Sequence, residues 1–510
     1  MSEPTWAEGY VVDVGYTHGY YRELAPAALS FVTILGGAQA ADTDQPFTYY
    51  ELGCGNGHSC VLHAAANPRG RFLGADFNPT HIHNARRLAQ ETGVENVQFL
   101  EKSFAELTAA ELPEAEIIAL HGVHSWVSAD NRRHIVEFIR QRLKPAGMAY
   151  VSYNCLPGLS SIAPLQRLLR EHASLGGGAL TDGVRRAIEF ANRLDEAGAE
   201  YFRVNPMAKA RLARIGGQDP RYLLHEYFNA NWEPSYHTDV ARELAGAKLN
   251  YVGSADILDN FDQFVLKPEM ARIIAGVGDR ALAETVKDFA RNQVFRRDVF
   301  TRGAPKAAPV QLEAMLSRTR FALVRPRSVC SLQGPTPIGE VTLQAEAYAP
   351  VLDALARAPM TFEELGRAPE CSQLGRVKLR QAIFGMAALG NLLPALPAAG
   401  EDLRRDGCGR FNRAVLHAPI AGAASLTLAS PVLGAGVPVN NIDRLFLSAP
   451  RDEAQAIAKA NAVIAATGLK LRKGDKAIDS AAEIEEYVRE RAQFFFKDFL
   501  PFLKMLGVAD

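Results

Sequence analysis

The sequence predicts an α/β fold built on a doubly wound, mostly parallel sheet, with helical and smaller α+β regions after it. Two observations carry this prediction. Strand-like and helix-like segments alternate between residues 47 and 154, which is typical of consecutive βαβ units. A glycine-rich segment, ELGCGNG at residues 51–57, joins the first strand to the first helix, and backbone without Cβ atoms lets a ligand approach closely there.

The elements of this sheet follow from the alternation and from helix-start signals. Strands are predicted at residues 47–52, 71–77, 97–103, 116–122 and 147–154, and helices at 58–67, 80–92 and 129–143. The second helix begins after Asn78-Pro79, where a proline suits the first helical turn. Ligands of such sheets lie beyond the carboxyl ends of the strands, so the residues there are the candidates for a site.

The character of the chain changes after residue 157. A largely helical stretch at 160–214 precedes a polar, aromatic loop, a helix, a short strand at 249–253 and a helix at about 268–301. Residues 346–396 show three helical patterns and a following strand, the outline of a winged helix, and residues 483–506 form an amphipathic helix pair. We therefore expect domains at 1–160, 161–305, 306–400 and 401–510, with 225–260 packing back on the first.

Composition and charge restrict the functional classes. The 510 residues include 56 basic and 57 acidic side chains, and this balance argues against electrostatic binding of nucleic acid or an anionic membrane. Six cysteines are scattered without a CxxC pair, which disfavours zinc and is typical of reduced thiols in a cytoplasmic protein. The N-terminus does not look like a signal peptide, and the uncharged run at 418–442 contains too many prolines and glycines for a membrane-spanning helix.

The glycine loop favours a ligand that contains adenosine but no pyrophosphate. Gly53, Gly55 and Gly57 do not follow the GxGxxG spacing of dinucleotide-binding loops. At the end of the second strand, Asp76 is placed where an acid can accept hydrogen bonds from both ribose hydroxyls. Phe77 follows it and can pack against an adenine. The loop and the acid together therefore predict a nucleoside-binding site.

These motifs resemble those of the class I S-adenosylmethionine-dependent methyltransferases, which are Rossmann-like: ELGCGNG is similar to their first motif and GADF, at residues 74–77, to their second. Segments at 121–128, 149–158, 225–255 and 288–302 resemble bacterial methyltransferases with a methyltransferase regulatory domain, including the rickettsial lysine methyltransferases that act on outer membrane protein B. The resemblance is dense over about residues 10–305. It implies S-adenosylmethionine as cofactor, S-adenosylhomocysteine as product, and a dimerising regulatory region at 161–305.

The resemblance and the strand ends together give a predicted set of cofactor-binding residues. The set consists of Tyr16, Glu51, Gly53, Cys54, Gly55, Asn56, Gly57, Asp76, Phe77, Asn78, Ser103, Phe104 and His121. Tyr16, Tyr20 and Tyr21 are also candidates for a lid, because this tyrosine-rich stretch precedes the first strand. His81 and His83 are expected on the surface, since two ligands are too few for a metal site, and no metal is predicted.

Catalytic candidates lie at the ends of the fourth and fifth strands. Methyl transfer from a sulfonium needs a positioned and desolvated acceptor more than a strong base. We predict His124, Tyr153 and Asn154 for this role, with His124 able to take a proton from the acceptor. Trp126 is expected to pack in the core. Two segments depart from the family pattern, HGVHSWVS for HGVYSWVP and SYNCLPGL for SYNTYPGW, where the substrate is expected.

Three functions are compatible with the sequence. The first is a methyltransferase that acts on a protein side chain, a lysine amine. The second is an O- or N-methyltransferase of a small molecule, which the departures near the substrate keep open. The third is a DNA-binding regulator that uses the winged helix and keeps the methyltransferase fold as a sensor, although Arg376, Lys378 and Arg380 are a weak basic footprint. We expect a homodimer, held largely by helices between residues 160 and 301, and a winged-helix region whose apolar stripe contacts protein.

Overall fold

The structure, a computed structural model, describes residues 19–175, 179–303, 306–418, 426–448, 452–473, 476–478 and 480–509. A seven-stranded sheet forms the centre of the first 303 residues. Its strands are β1 (Phe47–Leu52), β2 (Gly70–Asp76), β3 (Val97–Glu101), β4 (Ala115–Leu120), β5 (Leu143–Asn154), β6 (Leu249–Ser254) and β7 (Phe295–Arg302). The order across the sheet is β3-β2-β1-β4-β5-β7-β6, and β7 alone runs in the direction opposite to the other six strands. This confirms the predicted doubly wound sheet, whose strand order reverses between β1 and β4, beside the glycine loop.

Helices cover both faces of this sheet. They are α1 (Pro26–Leu35), α2 (His58–Ala66), α3 (Pro79–Thr92), α4 (Phe104–Ala109) and α5 (Ala129–Arg142). Strand β1 shows why both faces need cover: Tyr49 belongs to the apolar cluster with α1 and α2, and its neighbour Tyr50 belongs to the cluster with α4 and α5. Successive side chains of a strand point to opposite faces, so a central parallel strand reads as continuously apolar.

The segment after β5 is helical, as expected. Its helices are α6 (Ala163–Ser174), α7 (Leu180–Glu196), α8 (Glu200–Val204), α9 (Pro206–Ile215), α10 (Pro220–Tyr227), α11 (His237–Ala245), α12 (Asp262–Val265), α13 (Pro268–Ala275) and α14 (Arg280–Arg291). Helices α6, α7, α9 and α10 share an apolar cluster of their own, whereas α11 packs on the core sheet. The chain therefore leaves the core after β5, builds a helical unit and returns to the sheet.

The prediction of a helix from 268 to about 301 is wrong at its C-terminal end. Helix α14 stops at Asn292, which adopts a left-handed conformation with φ of 50°. The following residues form β7 between β5 and β6. The sequence FRRDVFTR does not look like a central strand because Arg296 and Asp298 are charged, yet both are buried and pair with each other at 3.0 Å.

The C-terminal 200 residues contain small sheets and helices. Their strands are β8 (Arg320–Leu323), β9 (Gln333–Thr336), β10 (Gly339–Thr342), β11 (Met360–Thr361), β12 (Leu392–Ala395), β13 (Leu426–Ser430), β14 (Ala435–Val439), β15 (Leu471–Lys473) and β16 (Lys476–Ile478). Their helices are α15 (Pro309–Arg318), α16 (Ala345–Arg357), α17 (Phe362–Arg367), α18 (Arg376–Ala388), α19 (Glu401–His417), α20 (Asn441–Leu447), α21 (Glu453–Thr467), α22 (Ala481–Phe494) and α23 (Leu500–Met505). A π-helical turn, Phe495–Phe499, joins the last two helices.

The predicted helices and strand of the winged-helix region are present as α16, α17, α18 and β12. The strand that pairs with both β11 and β12, however, is β8, which precedes these helices in the chain. The winged helix and the domain limits at 160, 305 and 400 therefore stay predictions. The apolar stripe of α18 is not a free surface, since Leu379, Ile383 and Met386 are buried and Phe384 packs near Phe31.

The C-terminal domain packs on the core through α19 and the β13–β14 hairpin. The amide of Asn67, at the end of α2, donates to the carbonyl of Gly434 at 3.2 Å. The Gly436 N–H donates to the hydroxyl of Tyr20, which also lies 3.2 Å from His63 Nε2. The uncharged run thus forms strands in the part that the structure describes, and no helix there has the length and apolarity to cross a membrane.

Candidate active site

A cavity of about 310 Å³ opens at the carboxyl ends of β1, β2 and β4. The predicted cofactor residues that line it are Glu51, Gly53, Cys54, Gly55, Asn56, Gly57, Asp76, Phe77, Ser103, Phe104 and His121. Asn78 is buried beside it, where it caps α3 by accepting from the Thr80 N–H. Tyr16 lies outside the described residues. The structure therefore brings the described part of the predicted set to one edge of the sheet, which we call the strand-end wall.

The glycine loop forms the floor of the strand-end wall. Gly53, Gly55 and Gly57 have φ values of 69°, 53° and 73°, a left-handed conformation that glycine adopts without strain. A Cβ atom at Gly53 would lie 2.5 Å from Val123, and one at Gly57 would lie 2.6 Å from Ala85. At Gly55 the same atom would meet no described atom within 4 Å, because this residue faces the cavity. The loop therefore packs closely against its neighbours at Gly53 and Gly57, and at Gly55 it leaves backbone accessible to a ligand.

Asp76 is held in position by the two loops around it. Its Oδ2 accepts from the Gly55 N–H at 2.9 Å, and its Oδ1 accepts from the Asn78 N–H at 2.9 Å. His81, expected on the surface, is instead buried, lines the cavity and lies 3.3 Å from Asp76 Oδ1 through Nδ1. The signal that could have found it is its position in the first turn of α3, directly after the acid.

Glu51 places an unsatisfied carboxylate at the cavity. It is 5% exposed, and its Oε2 atom has no hydrogen-bond partner among the described residues. Burial raises the pKa of Glu51 to about 8. A buried acceptor without a partner is costly, so this carboxyl suits a ligand that brings a donor or a positive charge.

His121 lies where β4 ends, between a tyrosine and the cavity. Its Nδ1 lies 2.9 Å from the Tyr150 hydroxyl, and the Tyr21 ring lies against it at an interplanar angle of 31°, with centroids 3.6 Å apart. Burial lowers the pKa of His121 to about 3, with the nearby Arg297 acting in the same direction, so the ring is neutral at physiological pH. Tyr21 lines the cavity and its N–H donates to Ser59 Oγ at 3.0 Å. Of the lid candidates, Tyr21 thus reaches the site, and Tyr20 contacts the C-terminal hairpin instead.

The helical region also contributes residues to the lining of this cavity, and we call this part of the lining the α10 wall. It consists of His225, Glu226, Asn229 and Asn231, at the end of α10 and in the loop that follows. Burial raises the pKa of Glu226, an effect that Arg211 opposes. The residues of the α10 wall belong to the polar, aromatic segment HEYFNANWEPSY at residues 225–236, of which these polar residues line the cavity. Tyr227 is buried in the helical cluster and Trp232 packs near Trp126.

Two of the three predicted catalytic residues do not line the cavity. His124 is 4% exposed and its Nε2 lies 2.9 Å from Glu243 Oε2. The Tyr153 hydroxyl donates to Asp298 Oδ2 at 2.6 Å within the buried charge cluster of β7. Asn154 does line the cavity, and so does Trp126, which was expected in the core. The positions of His124 and Tyr153 do not support direct catalytic roles, because each is committed to a carboxylate away from the cavity.

The seven-stranded sheet with an antiparallel β7, the glycine loop after β1 and the acid after β2 together define a class I S-adenosylmethionine-dependent methyltransferase. The residues present fit that cofactor, because Asp76 ends β2 at the cavity, Gly55 offers open backbone and Glu51 offers an unpaired carboxyl oxygen.

Comparisons with known proteins agree with this class. Residues 45–188 match the family described as a methyltransferase domain, and residues 219–302 match the one described as a predicted methyltransferase regulatory domain. The chain is 37% identical over 505 residues to an uncharacterized protein of Synechocystis sp., covering 99% of this chain and 100% of that protein. It is 26% identical over 292 residues to an uncharacterized protein of Rickettsia prowazekii, covering 56% of this chain and 51% of that protein.

Among solved structures, PKMT2 from Rickettsia typhi in complex with AdoHcy is similar over nearly the whole chain. The TM-score is 0.68 at 19% identity, covering 97% of this chain and 99% of that one, which shows a shared fold. The chain therefore belongs to the S-adenosylmethionine-dependent methyltransferases that carry a methyltransferase regulatory domain. The α10 wall lies within the segment that matches the regulatory domain.

Proposed function

We propose that the protein transfers a methyl group from S-adenosylmethionine to a lysine amine of a protein substrate. The observation that carries this proposal is the chemistry of the α10 wall, which places a partly buried carboxyl, Glu226, among asparagine side chains in the same cavity that the strand-end wall lines. A cationic ammonium group is what such a wall binds best, since it pairs with the carboxylate through charge-assisted hydrogen bonds. The resemblance to rickettsial lysine methyltransferases supports the same acceptor.

The residues of the strand-end wall hold the cofactor in this proposal. Asp76 accepts from the ribose hydroxyls, the bare backbone at Gly55 admits close approach, and Glu51 faces the positively charged part of the ligand. When bound, S-adenosylmethionine supplies an electrophilic methyl group on a sulfonium. The neutral His121 and the ring of Tyr21 close this side of the cavity and exclude water, which favours a desolvated acceptor.

The acceptor amine is oriented by the α10 wall and by Asn154. Glu226 attracts the ammonium form and can accept its proton, because its raised pKa makes this carboxyl a better proton acceptor than an exposed one. Trp126 adds an aromatic side to the same space. The chain's own residues thus bind, orient and deprotonate the amine, and no further base is needed.

The test is labelled methyl transfer to lysine-containing peptides and unfractionated bacterial protein, read by mass spectrometry. We expect methyl groups on lysine side chains. In Glu226→Gln the kcat/KM for the peptide should fall about tenfold while the Kd of S-adenosylhomocysteine stays within twofold. Glu171→Gln, on the exposed face of α6, is the matched control. Methylation confined to low-molecular-mass acceptors would contradict the proposal, and so would an unchanged kcat/KM for the peptide in Glu226→Gln.

We also infer that the protein acts as a homodimer held by helices of the segment 160–301. Several large apolar side chains of that segment are exposed, among them Ile273 on α13 and Phe289 on α14, at 59% and 58%. An isologous contact between the exposed surfaces of these helices would have to bury more than about 1,000 Å² in total to be stable. Light scattering at micromolar concentration should give twice the 55.5 kDa of one chain. A concentration-independent mass of one chain would refute the dimer.

A further inference from the structure

The segment between α10 and α11, residues 228–235, lies against the core without regular secondary structure, and we call it the strap. It carries Asn229 and Asn231 of the α10 wall. Three backbone hydrogen bonds attach it to the core: the Glu233 N–H donates to the Ser125 carbonyl at 2.9 Å, the Ser235 N–H donates to the Asn154 carbonyl at 2.9 Å, and the Leu156 N–H donates to the Ser235 carbonyl at 3.1 Å. The strap therefore connects the α10 wall with the end of β5.

Ser125 lies at the junction of these connections. It is 1% exposed, and its hydroxyl accepts from the Asn154 N–H at 2.8 Å while its carbonyl accepts from Glu233. A shift of the strap is therefore transmitted to Asn154, which lines the cavity, as well as to Asn231. The positions of Asn154 and Asn231 in the cavity lining therefore depend on where the strap lies.

One arginine joins the side chains of the strap to the core. Arg132, on α5, places its Nη2 2.6 Å from Glu233 Oε2 and its Nε 3.6 Å from Glu243 Oε1 on α11. Glu243 in turn pairs with His124. The Arg132 side chain is 11% exposed, whereas that of Glu233 is 66% exposed. A planar guanidinium that contacts two carboxylates fixes their relative positions, which a lysine at the same place would not do.

We propose that Arg132 is a positioning residue for the methyl acceptor: it holds the strap, through Glu233 and Glu243, at the place where Asn231 and Asn154 meet the substrate. This inference rests on the proposed function, since it assigns the α10 wall to the acceptor. An ion pair with a partner as exposed as Glu233 contributes little to global stability. Its loss therefore acts on acceptor binding and leaves the folded core and the cofactor residues in place.

The experiment compares Arg132→Gln, Arg132→Lys and Glu233→Gln in the full chain. We expect Arg132→Gln to raise the acceptor KM about tenfold, with kcat and the Kd of S-adenosylhomocysteine within twofold. Glu233→Gln should raise the KM less and add little in the Arg132→Gln background, because both changes remove one contact. Arg132→Lys should recover only part of the affinity. The matched control is Arg133→Gln, the next residue, whose side chain is 73% exposed and pairs with Asp130.

Amide hydrogen exchange gives a readout that needs no acceptor. Arg132→Gln should speed exchange at Glu233 and Ser235 and leave residues 51–57 unchanged. An unchanged KM together with unchanged exchange in the strap would overturn the positioning role, and so would a parallel loss of cofactor affinity. If the wild-type protein methylates no lysine, the proposed function fails, and faster exchange confined to the strap would still establish that Arg132 holds it.

Discussion

The two walls of the cavity differ in how their residues are held. The strand-end wall is made of strand ends and tight loops, and its key atoms are fixed by backbone donors: the Asp76 carboxylate accepts N–H groups from Gly55 and Asn78. The α10 wall is made of a short helix and an irregular strap, attached to the core by few backbone bonds and by the ion pairs of Arg132. In the function that we propose, the wall fixed by backbone donors holds the cofactor and the wall held by the strap receives the acceptor.

The largest effect on binding is expected at the strand-end wall. Asp76→Ala should weaken S-adenosylhomocysteine binding at least about tenfold, because it removes charge-assisted hydrogen bonds worth roughly 1.5–3 kcal/mol each. Calorimetry measures the Kd of S-adenosylhomocysteine, and thermal unfolding checks that the variant is folded. Asp130→Ala, at an exposed carboxylate in the first turn of α5, should leave the Kd unchanged. Equal affinity in wild type and Asp76→Ala would show that the ribose does not lie there.

A smaller effect is expected when a substitution in the C-terminal domain disturbs the strand-end wall. A Cβ atom at Gly436 would lie 2.2 Å from Thr427 Cγ2 and 2.8 Å from the Tyr20 ring. Gly436→Ala should therefore displace Tyr20 and its neighbour Tyr21, and weaken cofactor binding several-fold. The control is Gly375→Ala, since a Cβ atom there meets no described atom within 4 Å. Unchanged cofactor affinity in Gly436→Ala would show that the hairpin and the site are independent.

The pH dependence of cofactor binding tests the charge of Glu51 in the strand-end wall. The pKa of Glu51 is raised from 4.5 to about 8, so the folded protein binds the extra proton and the stability contributed by Glu51 is lost as pH rises from 4.5 to 8. A positively charged cofactor favours the ionised carboxyl, so its affinity should rise with pH towards 8. Calorimetry at pH 7 in buffers of different ionisation enthalpy should show release of about one proton per cofactor bound. Glu51→Gln should abolish that proton release. If the variant still releases a proton on cofactor binding, the proton comes from another group.

The smallest effect is expected at His124. Because this side chain is turned to Glu243 and does not line the cavity, His124→Gln should change kcat less than about threefold at saturating acceptor. Steady-state kinetics over pH 6–9 should keep the shape of the wild-type profile. A large loss in kcat, with a missing limb in the pH profile, would restore the catalytic role that the sequence predicts. Asn154→Ala provides the comparison with a residue that does line the cavity.

The sequence by itself determined five strands of the sheet and the strand-end wall. The five strands, their helices and the residues from Glu51 to His121 are local features, because each site residue follows directly from the end of a strand whose apolar pattern is readable. The sequence also directed attention to the segment after α10. It did not reveal β7, since its buried charges, Arg296 and Asp298, are satisfied by each other and by partners on other elements that a local pattern does not show.

Only the tertiary structure decided the α10 wall and the orientation of the strand-end histidines. His124 and His121 lie three residues apart, yet one faces Glu243 on α11 and the other faces the cavity. Glu226 reaches the cavity because the helical region folds back over the core. Which side chain of a polar segment meets a cavity depends on elements more than a hundred residues away, and a local pattern carries no information on those contacts.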